Sequence, residues 1–474
     1  MERVMLKVKS SVFKWLREDS GYTIKEVARK LDVTPKDIED WESKSIIKLT
    51  YEQIKRLAQL YDVPVTNFFL PHPPPYQPLS FLRRGEIIMV SPKVHKIKRK
   101  ARYLRSIIYE IDRENIEKIK DRIPHYRIDE DPEECAKQER SKHFNAIELT
   151  RTKDSKDKLK KLGKLKKKLA EIGIYVFEFN MPLEEVRGFS LVDELPYIIV
   201  INAEDSINGK IFTLLHEYAH ILLRDQKGCT EMELADDKKE YRGIERWCNT
   251  FAASFLIPTL EIEGPLEVDR VDDLLEALSK RYTMSKYAIA VRILTLKQQE
   301  VQQLQSVISK SIDRLKEEAK EGMSRRDEER YLFTWEDVTP EGVKVPDRFA
   351  VYLRNILGIE VKELLLCKSN EDRIEIILTQ HSNKNKKVGD ITIEEDSAIL
   401  MYKDKEHELD IKRVDNKTNI YRPFVLNKVN LRKNQLGLYF IEKVIDAYNQ
   451  KMITTADLLD YLQIKTKDLP KILR

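Results

Sequence analysis

The stretch from Ile211 to Leu223, IFTLLHEYAHILL, constrains this chain more than any other. Phe212, Leu215, Ala219, Ile221, Leu222 and Leu223 give it an apolar body, so it reads as a buried or half-buried helix. Inside it lies His216-Glu217-x-x-His220. Residues four apart sit one turn apart on the same helix face, so the two imidazoles can converge on one metal ion. Glu217, beside the first histidine, can take a proton from the metal's water. The plain alternative is two unrelated histidines on a core helix. The chain holds only eight histidines, and a chance match to the pattern arises in roughly one such chain in a hundred. Buried histidines flanking a buried glutamate would also be costly without a metal or other partners.

A zinc site needs a third protein ligand. The segment 243–258, GIERWCNTFAASFLIP, reads as a second apolar helix carrying Trp247, Phe251, Ala252, Phe255 and Leu256, and it supplies Glu245. Two histidines and a later glutamate, with one position left for water, form a catalytic set rather than a closed structural one. Zn2+ is the expected metal, and the same donors suit Mn2+ or Fe2+. Asn249, one turn after Glu245 on the same face, is either a hydrogen-bond partner behind the ligands or an ordinary surface asparagine.

These residues carry a resemblance. HEYAH, then Glu245, Asn249, Phe251-Ala252-Ala253 and Pro258, resembles the ImmA/IrrE family of metallopeptidases. The resemblance implies His216, His220 and Glu245 as metal ligands and Glu217 as general base. It also implies a protein substrate, a helix-turn-helix repressor whose cleavage switches on the silenced genes.

Upstream, residues 11–70 read as five short helices. Thr23, Thr34 and Thr50 are helix caps, and Pro35 stands at a first helical position. Two helices joined by a short turn within such a unit form a helix-turn-helix. The stretch resembles the XRE-type domain fused ahead of ImmA/IrrE peptidases, down to Trp41-Glu42-Ser43 and Phe68-Phe69-Leu70-Pro71. The third helix carries Asp37, Glu39, Asp40 and Glu42 against Lys36 and Lys44, and no Arg, Gln or Asn to read a base edge. A protein-docking role is therefore expected ahead of DNA binding by residues 8–72. Pro71 to Pro78 reads as a stiff linker.

The lysine-rich run Lys153 to Lys168 has Leu159, Leu162, Leu165 and Leu169 at helical spacing, so an amphipathic helix is expected rather than a nucleic-acid patch. Residues 174–179, 188–192 and 196–201 read as three strands ahead of the metal helix. An edge strand of such a sheet could hold an extended substrate. Period-two alternation marks a small α+β insertion at about 335–425. His381 and His407 within it stand isolated, and helices return from Leu436 to Leu473.

Composition sets the outer bounds. At 474 residues several domains are needed, and 41% apolar residues suffice for cores. A net charge of +5 from 85 basic and 80 acidic residues argues little for nucleic acid. Four cysteines without CxxC spacing fit a reducing compartment. No apolar run reaches a membrane span, and MERVMLKVKS lacks a signal-peptide core, so a cytoplasmic protein is expected.

The expectation is thus a multidomain, mostly α chain with α+β parts. It comprises a helix-turn-helix domain (8–72), a linker (73–92) and a zincin-like α+β metallopeptidase domain (93–264). A small helical segment (265–300) and a C-terminal region (301–474) holding the insertion complete it. The rival from another class is a non-catalytic helix-turn-helix regulator or antitoxin-like binding protein.

Overall fold

The computed structural model describes the chain except for residues 1–4, 75–80, 84–85, 89, 120–121, 145–154, 184, 225–234, 258–270, 283, 297–329, 358–363, 379–385, 394–396, 403–404, 415–416, 422–427, 467–468 and 473–474. Half of the proline linker, Pro258, the charged stretch after Leu296 and His381 therefore lie outside the described residues. The chain forms two compact units, one of Met1–Ile312 with Asn427–Arg474, the other of Asp313–Leu426.

The first unit begins with β1 (Met5–Lys9), α1 (Ser10–Asp19), α2 (Ile24–Leu31), α3 (Pro35–Ser43), β2 (Ile46–Thr50) and α4 (Tyr51–Tyr61). Thr23, Thr34 and Thr50 each close a capping box, and Pro35 opens α3. Val12, Phe13, Leu16, Val27, Ile38, Ile54, Leu57, Tyr61 and Phe68 fill the core between the helices. Two features depart from the five-helix expectation. The last element is a five-residue 3-10 turn, Val65–Phe69. The segments either side of the helix-turn-helix pair as an antiparallel ribbon, β1 with β2. Leu6 and Val8 on one strand and Ile47 and Leu49 on the other turn inward, closing the core with period two.

Two of the four carboxylates of α3 have structural partners. Asp37 is used in the Thr34 capping box, where its carboxylate accepts the Thr34 N–H at 2.8 Å. Glu42 accepts two hydrogen bonds from the Arg17 guanidinium, at 2.5 and 2.9 Å. Only Glu39 and Asp40 are left as exposed carboxylates on the helix.

A short hairpin, β3 (Phe81–Arg83) with β4 (Glu86–Ile88), leads to α5 (Pro92–Ile119). This long helix binds the C-terminal ends of α1 and α4. Arg99 donates to the carbonyls of Asp19 (2.9 Å) and Tyr61 (2.6 Å), where each helix leaves unpaired acceptors. Lys98, fully buried, sits 3.4 Å from the buried Asp19 carboxylate. His95 reaches the Asp19 carbonyl at 3.1 Å and packs on Gly21, where its ring leaves no room for a Cβ and the left-handed φ of +75° also favours glycine.

Next come α6 (Pro132–His143) and α7 (Ser155–Glu171). Leu162, Leu165 and Leu169 of α7 are buried, and Leu159, expected inside, is 54% exposed. A three-stranded sheet follows, β5 (Ile174–Phe179), β6 (Gly188–Leu191) and β7 (Tyr197–Asn202), in the order β5-β7-β6. β5 runs parallel to β7 and β6 antiparallel to it. Then come α8 (Ile207–Leu222), α9 (Ala235–Leu256), α10 (Val271–Arg281) and α11 (Lys286–Leu296).

The second unit is a meander, β8 (Tyr331–Thr334), β9 (Val343–Lys344), α12 (Asp347–Leu357), β10 (Leu364–Asn370), β11 (Arg373–Leu378), β12 (Lys386–Ile393), β13 (Ser397–Tyr402), β14 (Lys405–Val414) and β15 (Lys417–Tyr421). Its eight strands form one sheet, with Phe349 and Leu353 of α12 in the same core as Leu366, Ile376, Ile391, Leu400, Leu409 and Ile420.

The chain then returns to the first unit through α13 (Lys428–Leu436), α14 (Leu438–Asn449), α15 (Thr455–Leu462) and α16 (Leu469–Ile472). The sequence grouped these helices with the C-terminal region. They pack instead into the core shared by α5 and the three-stranded sheet, with the Phe440 ring edge-on to Phe177 at 5.6 Å. Among the described residues, no helix is long and apolar enough to cross a membrane.

Candidate metal centre

α8 carries the first two donors. Ser206 caps its first turn by accepting the Gly209 N–H at 3.1 Å. Leu214, Leu215, Tyr218, Ala219, Ile221 and Leu222 are fully buried, so packing fixes the rotation of the helix about its axis. That rotation turns His216 and His220 to one side, their rings edge-on at 4.8 Å and their Nε2 atoms 3.1 Å apart.

α9 supplies the third donor. It lies on α8 through a stack of aromatic rings, Trp247 on Phe251 at 5.5 Å and Phe251 against Tyr218 at 6.0 Å. This contact brings Glu245 Oε1 to 3.2 Å from His220 Nε2 and Oε2 to 3.5 Å from His216 Nε2. Among the described residues these three form the one group of His, Cys, Asp or Glu side chains close enough to hold a metal ion.

The geometry tests whether zinc would fit. Bonds of about 2.0–2.1 Å in a tetrahedron place neighbouring donors roughly 3.3–3.4 Å apart. The three separations here, 3.1, 3.2 and 3.5 Å, bracket that value. A cation would be held by all three side chains at once, since both Nε2 atoms and the carboxylate face one another. Burial, aided by His220, pushes the His216 imidazolium down to about 4, against the pull of Glu245 and Asn249. The ring is thus neutral at physiological pH, the form in which histidine binds metal. Asn249, on α9 one turn from Glu245, makes a side-chain interaction with His216, though its own side chain is exposed. The Nδ1 of His216 is buried without a hydrogen-bond partner among the described residues.

Glu217 occupies a different face of α8. It is 8% exposed and lies over Gly188, the first residue of β6. A Cβ on Gly188 would stand 2.5 Å from Thr213 Cγ2, 2.9 Å from the Val200 carbonyl and 3.5 Å from Glu217 Cγ. Glycine there lets α8 settle against the sheet with Glu217 beside β6. Among the described residues β6 pairs only with β7, so it is an edge of the sheet next to the candidate general base.

Two comparisons bear on this arrangement. Residues 169–294 match the model of the IrrE N-terminal-like domain, a peptidase family. Residues 12–70 match that of a helix-turn-helix domain. The chain carries both domains, the helix-turn-helix ahead of the IrrE N-terminal-like domain. No curated protein and no solved structure matches it.

The IrrE N-terminal-like domain holds the three donors and Glu217, and its surroundings reach beyond it. The phenol of Tyr218, between the two histidines in sequence, donates to Glu139 of α6, which is buried and also accepts from Tyr126 at 2.9 Å. Tyr218 thus anchors the back of α8. On β5, Glu178 accepts from Lys166 of α7 and from Lys210 of α8 at 3.0 Å. Asn202 ends β7 with its side chain fully used. It donates to Met181 O and Val186 O at 2.8 and 2.9 Å, accepts from Met181 N and Glu204 N, and so fixes the approach to β6. Reading the sequence missed Gly188, Thr213 and Glu139. The only available signal was the glycine opening the strand GFSL, a residue that in strands marks a close approach.

Proposed function

We propose that this chain is a zinc-dependent endopeptidase of zincin-like architecture whose substrate is a helix-turn-helix repressor protein. The observation that supports it is the donor triangle of His216, His220 and Glu245, with edges near the tetrahedral ideal, beside a glutamate and a sheet edge. When bound, zinc supplies a Lewis acid that polarises a carbonyl and acidifies water. His216 and His220 offer their Nε2 atoms and Glu245 a carboxylate that lowers the charge of the site. β6 stands at an edge of the sheet among the described residues, so an extended segment of substrate adds beside it as a further strand and is oriented along the site. Glu217, held against Gly188, takes the proton of the attacking water on its carboxylate and delivers it to the leaving amine. The same donors accept Mn2+ or Fe2+, so metal identity is read by loading each in turn.

The test mixes metal-loaded protein with helix-turn-helix repressors encoded near its gene and follows cleavage by mass spectrometry. Wild type should cut, and Glu217→Gln should retain metal while losing about 10²- to 10⁴-fold in rate, the usual worth of a general acid–base group. Wild-type turnover in Glu217→Gln would refute the mechanism. Stoichiometric metal with no cleavage would refute the substrate assignment and favour the regulator reading.

A further inference from the structure

α6 lies outside the segment that matches the IrrE N-terminal-like domain, yet it holds both helices that carry the donors. It is tied to α9 near both of its ends. The Trp247 indole donates to the Glu130 carbonyl, just ahead of α6, at 2.8 Å, and Arg140 donates to the Phe255 carbonyl in the last turn of α9 at 3.4 Å. It is tied to α8 by Glu139, which accepts from the Tyr218 phenol. Phe144, the buried cap of α6, packs edge-on against Tyr218 at 6.0 Å and against Phe255 at 5.1 Å, and so touches both helices.

The place of Tyr218 on α8 gives this tie its meaning. At about 100° per residue, His216 and His220 stand about 40° apart, and Tyr218 stands about 180° from the direction midway between them. A turn of α8 that swings the two imidazoles one way therefore swings the phenol the other way, off the Glu139 carboxylate. Packing does not call for that hydroxyl, because Phe144 and Phe251 already enclose the ring. Nor does stability account for the carboxylate. Glu139 is 1% exposed, and its oxygens accept from two phenols, those of Tyr218 and, at 2.9 Å, Tyr126. His143 Nε2 lies 3.7 Å away, and no Lys or Arg pairs with Glu139 among the described residues. A carboxylate buried on those terms is a poor source of stability.

We infer that Glu139 is a positioning residue for the metal: through Tyr218 it holds the rotation of α8 at which His216 and His220 meet Glu245. The inference rests on the reading of those three side chains as metal donors. Glu139 touches neither metal nor substrate. It acts through the helix, so it sets metal affinity and donor geometry ahead of turnover.

The experiment compares two hydroxyl deletions in the full chain. Tyr218→Phe and Tyr126→Phe each take one donor from the same carboxylate, and the backbone bond from Tyr126 to the Leu222 carbonyl stays in place. A merely structural Glu139 would feel both alike. Both variants should lower the melting temperature of the metal-free protein. Tyr218→Phe alone should weaken Zn2+ binding in chelator competition by about 10-fold, the low end for groups that support metal ligands, and alter the visible absorption of the Co2+-loaded protein. Glu139→Gln keeps one oxygen acceptor for the two phenols and should fall between wild type and Tyr218→Phe. Wild-type affinity and spectrum in Tyr218→Phe would overturn the proposal, as would an equal loss of affinity in Tyr126→Phe. Wild type that binds neither Zn2+ nor Co2+ would overturn the metal reading itself, and the proposal with it.

Discussion

Gly188→Ala is the sharpest probe of how the fold holds Glu217. An added Cβ would meet Thr213 Cγ2 at 2.5 Å, whereas carbon atoms rest at about 3.5–4.0 Å, so that gap must open by about 1 Å. The strand cannot yield, because the same Cβ lies 2.9 Å from the Val200 carbonyl on β7, its partner strand. α8 must therefore lift from the sheet and carry Glu217 with it. Overpacking of this kind costs about 1–3 kcal/mol, and a 1 Å misplacement of a reacting group costs about 10²-fold in rate. The donors sit on α8 and α9, which pack on each other, so metal content should persist. The expected result is a stably folded, metal-loaded protein with a lower melting temperature and about 10²-fold slower cleavage. Thr213→Ser, which removes Cγ2, should restore part of both in the double variant. A Gly188→Ala protein with wild-type melting temperature and rate would refute the close-packing argument, and a metal-free one would refute the claim that the donors move as a unit.

Two further outcomes follow from groups near the N-terminal domain. Glu42→Gln leaves the Arg17 guanidinium, only 11% exposed, without its carboxylate and should cost about 3 kcal/mol in urea unfolding; a loss under about 1 kcal/mol would show the pair to be solvated. His95 gives a pH dependence. Burial first, and then the cations Lys98 and Arg99, push its pKa down to about 4 from an ordinary 6.5. Between those values the unfolded chain binds the proton and the folded one does not. Its contribution is therefore complete above about pH 6.5 and lost as pH falls toward 4, by up to about 3 kcal/mol. His95→Gln should flatten the stability curve in that window, and an unchanged slope would place the proton uptake elsewhere.

The grouping of His216, His220 and Glu245 was legible because helix geometry alone brings residues four apart to one face, and because the apolar stretch 243–258 that follows holds one glutamate. The strands of the sheet were legible for a similar reason, since IYVFEF and PYIIVI are too apolar and β-branched for anything but a buried strand. What stayed hidden is non-local. Met5–Lys9 pairs with Ile46–Thr50 across the whole helix-turn-helix, and five residues of alternation do not announce a partner. Lys98 lies in a stretch, KVHKIKRKAR, where nothing separates the buried lysine from its solvated neighbours; only Asp19, 79 positions away, decides it. The structural roles of two α3 carboxylates stayed hidden for a related reason. A count of carboxylates treats Asp37 and Glu42 like Glu39 and Asp40, although the first pair is consumed by a cap and by Arg17.

The same non-locality sets the limits of the peptidase fold. The matched segment 169–294 contains every donor, yet it does not cover its own sheet. α5 and the helices α14 and α15 bring Ile107, Ile108, Phe440, Val444, Leu458 and Leu462 into the core that holds Phe177 and Val200. Each of these buried side chains contributes about 1.5–3 kcal/mol, so the six together supply about 9–18 kcal/mol of gross burial, comparable to the whole net stability of a typical domain. Lys166 and Glu139 add polar anchors, one to β5 and one to the back of α8, from either side of the metal helix. The rotation of α8, and with it the meeting of His216, His220 and Glu245, is therefore a property of residues spread from α5 to α15. In sequence, the second unit separates two stretches of chain whose residues share that core.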